Sequence, residues 1–154
     1  MRVEGFRPYF APDAEILILG SFPSVKSRET SFYYGHPRNR FWKVLADFYG
    51  ESAPTGVEER KAFVKTHGIA LWDIVVSCEI SGSADATIRD YAVADLNEVL
   101  DAAPIKKILV NGSTAMKIFS KNYPELLPMT TALPSTSPAN ARFDVSAWEN
   151  ALRI

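Results

Sequence analysis

The segment Tyr33-Tyr34-Gly35-His36-Pro37-Arg38-Asn39 sets two aromatic rings, an imidazole, a guanidinium and a carboxamide side by side. A phenol ring can stack on a nucleobase, an interaction worth about 1–3 kcal/mol per base. An imidazole titrates near neutrality, so His36 suits general acid/base work or donation to a phosphate. The Asn39 carboxamide can orient a water or read a base edge. Each residue also has a plainer reading. A tyrosine in a loop can be a rim aromatic that covers a helix. Asn39 stands where a helix would open, and an N-cap is so common there that spacing alone favours it. Two adjacent aromatics between a glycine and prolines are not both expected in a core, so one should face a pocket.

Two further loops carry chemistry. Gly20-Ser21-Phe22-Pro23-Ser24 follows an apolar run. A glycine there lets a backbone approach a ligand closely, and its N–H groups can bind an anion or carbonyl oxygen. It is neither a phosphate-binding Walker loop nor a dinucleotide fingerprint, because the lysine and the further glycines are missing. Ser135-Thr136-Ser137-Pro138-Ala139-Asn140 combines small hydroxyls with a rigid proline. Such a surface can lie along a sugar–phosphate backbone, and a Pro138-Ala139 wedge can enter a groove. The plainer alternative is a turn that caps the last helix. His36 and His67 lie far apart with no acidic cluster around them, a poor metal-site pattern, and no metal or cofactor is expected. Asp73 and Asp85 are possible pocket carboxylates, but Asp73 follows Trp72 in an apolar run, which favours a structural role. No Gly-x-Ser-x-Gly elbow supports a serine nucleophile.

The elements that must position these loops alternate between strand and helix. Residues 15–19 (EILIL) read as a strand buried on both faces, residues 21–38 as a long loop, and residues 39–50 as an amphipathic helix ended by Gly50. Residues 57–66 read as a charged helix. Residues 69–76 are apolar and fit a strand running into a short helix, which periodicity does not separate. Residues 77–90 read as a second loop and 95–102 as a short helix. Residues 108–110 are the next buried strand, followed by a helix capped by Ser113 or Thr114. Residues 129–133 form a third strand, and residues 146–152 a closing helix. Residues 1–14 read as an arm. This order predicts one α/β domain, a three-layer sandwich with a central, mainly parallel sheet of about four strands. The loops that follow the strands then share one crevice.

Composition narrows the classes. At 154 residues, 47% hydrophobic, with a net charge of −1, the chain suits one globular domain rather than a polyelectrolyte coat. Lys26, Arg28, His36, Arg38, Arg40 and Lys43 nevertheless cluster, either as a solvated face or as a focused anion site. The single cysteine, Cys78, excludes an internal disulfide and fits a cytoplasmic setting. No signal peptide or membrane span is expected. With no heptads or long apolar stripe, a monomer is expected.

Taken in order, these motifs resemble the uracil-DNA glycosylase superfamily, most closely its hypoxanthine-DNA (deoxyinosine) glycosylase branch. The residues that carry the resemblance are Gly20-Ser21-Phe22-Pro23, Tyr34-Gly35-His36-Pro37-Arg38-Asn39, Leu71-Trp72-Asp73, Gly82-Ser83, Val110-Asn111-Gly112 and Leu133-Pro134-Ser135-Thr136-Ser137-Pro138. The resemblance implies a monofunctional glycosylase that flips a deaminated base, hypoxanthine first and uracil second, out of double-stranded DNA. It implies Asn39 as the catalytic residue and a pocket of Gly20, Ser21, Phe22, Tyr34, His36 and Asn111. The stacking ring would be Tyr34, while the Ser21–Phe22 backbone and the Asn111 amide would stabilise the departing base. Arg38 and residues 135–140 would bind DNA. Phe22 occupies the position where mismatch-specific relatives hold a water-activating asparagine, and Ser24 stands where the branch often has glycine. The other classes in view are an inactive DNA-binding module of this fold and a nucleotide-binding domain unrelated to repair.

Overall fold

The computed structural model describes residues 2–79 and 89–153 of the chain. Four strands form an all-parallel sheet in the order β3-β2-β6-β7, with β2 at Ile16–Gly20, β3 at Ile69–Asp73, β6 at Lys107–Asn111 and β7 at Thr130–Leu133. Every residue of β2 and β3 is buried, as continuous apolar runs in a parallel sheet require. Register places Gly20 opposite Asp73, and Asn111 opposite Leu133. The carboxyl ends of all four strands therefore lie along one edge, the edge that carries the loops.

Five longer helices complete the expected α/β sandwich: α1 (Val25–Thr30), α2 (Phe41–Tyr49), α3 (Gly56–Thr66), α5 (Ser113–Asn122) and α6 (Val145–Leu152). A short helix, α4 (Asn97–Leu100), precedes β6. The core is continuous from β2 and β3 through Phe41, Trp42, Phe119 and Trp148.

The structure corrects several expectations. Residues 1–14 are not an arm: β1 (Arg2–Glu4) pairs antiparallel with β4 (Val75–Glu79), and Tyr9 bridges Leu71. Residues 69–76 do not run into a helix. The chain turns at Ile74 into β4, the middle strand of a second, antiparallel sheet ordered β1-β4-β5, with β5 at Arg89–Val93. Apolar β-branched residues without 3.6-residue spacing favour this outcome. The expected loop at 77–90 is strand at both ends; Asp85 and the Gly82-Ser83 motif lie outside the described residues. The loop at 21–38 contains α1, because the Ser24 hydroxyl accepts a hydrogen bond from Ser27 N at 3.1 Å and caps a helix. Neither Ser113 nor Thr114 caps α5; Gly112 holds that position at φ 99°, with no side-chain cap. A 3₁₀ turn, Pro124–Met129, delays β7 to Thr130.

Candidate active site

The carboxyl ends of β2, β3, β6 and β7 open into a cavity of about 1090 Å³. Of the residues singled out in the sequence, Gly20, Ser21, Phe22, Tyr34, His36, Asn39, Asn111 and all of 135–140 line it, whereas exposed Arg38 does not. Ligand pockets commonly span roughly 300–1,000 Å³, so a purine with its sugar fits.

The first loop is shaped from beneath. Ser27, 3% exposed, accepts Gly35 N at 2.9 Å on its hydroxyl and so draws the loop onto α1. A Cβ on Gly35 would lie 2.2 Å from Thr30 Oγ1, so only glycine fits this approach. The Trp42 indole N–H is shared between the carbonyls of Tyr33 (3.3 Å) and Tyr34 (3.2 Å). The two tyrosines divide as the sequence suggested. Tyr33 is 2% exposed and its hydroxyl donates to Arg7 O at 2.8 Å. Burial, with the negative charge of Asp73 as the next cause, holds its phenol far above the usual tyrosine range. Tyr34 turns through a left-handed backbone (φ 54°) and lays one ring face on Phe41, with centroids 3.9 Å apart and planes 17° apart. Phe41 is fully buried, so a ring entering the cavity would have to stack on the opposite face of Tyr34.

Asn39 combines both readings offered above. Its Oδ1 accepts Phe41 N at 2.9 Å and so caps α2, which begins at Phe41 rather than at Asn39. That bond fixes the flip of the carboxamide, whose NH₂ group keeps its donor capacity in a residue that lines the cavity. His36 Nδ1 accepts Arg38 N at 3.0 Å. The neutral imidazole therefore carries its proton on Nε2 and acts as a donor.

The loop after β7 is held by its own polar groups. Asn111, 8% exposed, donates from Nδ2 to Thr136 Oγ1 and accepts Thr136 N on Oδ1, both at 3.0 Å. Its amide is thus largely spent as a brace, and only the second Nδ2 proton is left for a ligand. Thr136 is 0% exposed, so the expected DNA contact of its side chain is corrected: it ties the loop to β6. Asn140 is likewise engaged inside the loop, donating to Ser135 O and accepting Arg142 N. Ser135 Oγ accepts Ser137 N, and Ser137 Oγ accepts Ala139 N, each at 3.1 Å. Pro138 and Ala139 form the exposed tip. Arg40 joins the two loops, with its backbone N–H on Thr136 O and its guanidinium on Ser137 O, both at 3.0 Å.

The model of the Uracil DNA glycosylase superfamily matches residues 7–151. The chain belongs to the uracil DNA glycosylase superfamily. Its enzymatic class is DNA glycosylase, as the ordered motifs implied. Among its relatives, a Hypoxanthine DNA glycosylase of Methanosarcina barkeri (strain Fusaro / DSM 804) is 35% identical over 147 residues, covering 92% of this chain and 90% of the relative. A Hypoxanthine DNA glycosylase of Methanosarcina acetivorans is 35% identical over 157 residues, covering 97% of each. A solution NMR structure from Methanosarcina acetivorans, described as a uracil DNA glycosylase candidate, superposes with a TM-score of 0.84. It is 34% identical, and the match covers 99% of this chain and 98% of that one.

Asp73, for which the sequence favoured a structural role, also reaches the cavity. It ends β3, is 5% exposed, and lies in the cavity wall beside Gly20. The available signal was its place at a strand's carboxyl end in register with Gly20. Met116, Lys117 and Ser120 on α5, which also line the cavity, had no sequence signal beyond helical spacing. Among the described residues no group of three His, Cys, Asp or Glu is placed to hold a metal. No helix among them is long and apolar enough to cross a membrane.

Proposed function

We propose that this DNA glycosylase removes hypoxanthine from double-stranded DNA by hydrolysis, with Asn39 as the catalytic residue. The observation that carries the reading is that Tyr34, Asn39 and the loop at 135–140 line one cavity. The exposed Pro138-Ala139 tip presses on the duplex, and the Ser135 and Ser137 hydroxyls donate to phosphates. The extruded nucleotide stacks its base on Tyr34.

As the N-glycosidic bond stretches, positive charge grows on the sugar and negative charge on the base. The His36 Nε2–H and the backbone at Ser21–Phe22 offer dipoles to the base. Asn39 holds the attacking water through its NH₂ group. A carboxamide is no base, so it positions the water, the oxocarbenium sugar supplies the electrophilicity, and the departing base anion takes up the proton the water loses. Phe22 is 9% exposed, with its ring edge against Gly5 and Arg28 over its face, and an apolar side chain cannot replace Asn39 in holding water.

Single-turnover cleavage of duplexes bearing one hypoxanthine, uracil or xanthine tests this reading. Hypoxanthine is expected to be released fastest, and Asn39→Ala to slow its release by roughly a hundredfold or more. Binding without release of any base would mark an inactive module. Full activity in Asn39→Ala would remove the catalytic assignment.

A further inference from the structure

Deamination of adenine changes one edge of the ring. The exocyclic amine becomes a carbonyl, and the N1 lone pair becomes an N1–H. An enzyme that spares adenine must read that exchange. An ionised carboxylate only accepts hydrogen bonds, so it pairs with N1–H and repels an N1 lone pair. A carboxamide can rotate to offer either its oxygen or its NH₂, and so tolerates both edges.

The cavity contains such a carboxylate. Asp73 stands opposite Gly20 at the end of β3, 5% exposed, and lines the cavity. A Cβ built on Gly20 would lie 2.5 Å from Asp73 Oδ1 and 3.1 Å from Tyr34 Oη. Asp73 Oδ1 and Tyr34 Oη thus both border the space that a side chain on Gly20 would fill. The hydroxyl end of the Tyr34 ring marks where Asp73 lies. A base stacked on that ring within the cavity would turn an edge toward the carboxylate. The charge of Asp73 is also felt by its neighbour Tyr33, whose phenol it helps to keep protonated.

We infer that Asp73 is the residue that distinguishes hypoxanthine from adenine, by accepting the N1–H that deamination creates. This rests on the reading of the cavity as a hypoxanthine pocket. Guanine also carries an N1–H, so Asp73 does not reject it, and that rejection belongs to other groups.

The test is competitive binding of the whole protein to duplexes that resist cleavage, bearing 2′-fluoro deoxyinosine, deoxyadenosine or deoxyguanosine. Each faces an abasic-site analogue, so that pairing energy does not enter. The wild type is expected to prefer inosine over adenosine by roughly ten- to a hundredfold. Asp73→Asn, which keeps the shape, is expected to narrow that preference to about threefold or less by strengthening adenosine binding, with the inosine-to-guanosine ratio unchanged. Gly20→Ala, which drives a methyl into the carboxylate, is expected to narrow the preference as well. Thermal unfolding confirms that each variant is folded. The inference is overturned if Asp73→Asn keeps the wild-type preference, if it weakens inosine and adenosine equally, or if the wild type shows no preference. A wild type that discriminates in binding yet releases no hypoxanthine would instead defeat the proposed function and leave the reading of Asp73 standing.

Discussion

The two loops that face each other across the cavity are built from opposite materials. The loop at 31–40 is held by rings: Phe32 stacks with Trp42, Tyr34 with Phe41, and the Trp42 N–H ties down two carbonyls. The loop at 134–140 is held by polar atoms, with Asn111 on Thr136, Trp148 Nε1 on Pro134 O at 2.8 Å, and serines on their own backbone. Apolar burial is non-directional and survives small shifts. A buried hydrogen-bond network is directional, and losing one partner leaves another unsatisfied. The side proposed to stack the base therefore rests on a broad foundation, whereas the side proposed to touch DNA rests on a set of directional hydrogen bonds with the Asn111 amide among them.

Phe41 is the place where the contrast breaks down. It carries Tyr34 on its face and meets Trp148, the anchor of the other loop, edge-on at 6.0 Å. Phe41→Ala is expected to cost about 3–5 kcal/mol in denaturant unfolding and to speed amide exchange in both loops. Asn111→Ala should sharpen the contrast. It strands the buried Thr136 N–H and hydroxyl and is expected to cost about 2–4 kcal/mol. Exchange should then rise in 134–140 while 31–40 stays protected; equal loosening of both would refute the division.

Tyr33→Phe is expected to cost about 1 kcal/mol through the lost bond to Arg7 O. It also carries a pH signature. The folded phenol titrates above its unfolded value, so its contribution is complete below about pH 10 and is lost as the pH rises beyond that. The wild type should lose stability above about pH 10 more steeply than Tyr33→Phe, and parallel curves would contradict the assignment. The smallest stability effect belongs to the exposed tip. Pro138→Gly should change unfolding by less than about 1 kcal/mol, through the freer unfolded chain, and is expected to weaken duplex binding if the proposed contact of the tip with DNA holds.

Much of this contrast was legible before any coordinates. Continuous apolar runs ending at Gly20 and at Asn111 declared parallel strands, and Gly50 declared a helix end. What escaped was whatever depends on a distant partner. The N-terminal segment became β1 only because β4 offered an open edge. The apolar run after Asp73 became a strand, not a helix, because a second sheet received it. Thr136 reads as a surface hydroxyl until Asn111, 25 positions away in sequence, accepts its N–H and buries it.

Residue types and order, acting locally, determined the alternation of strand and helix, the loops that carry the chemistry, and the membership in a glycosylase family. Local chemistry suffices there, because apolar periodicity and glycine or serine punctuation act within a few residues. Tertiary structure alone decided which tyrosine is buried and bonded to Arg7 and which stacks on Phe41, that Asn39 spends its oxygen on Phe41 N, and that Asp73 stands in the cavity wall. Those choices follow from which backbone and ring each side chain meets across the sheet edge, and such meetings are set by packing between segments far apart in the chain.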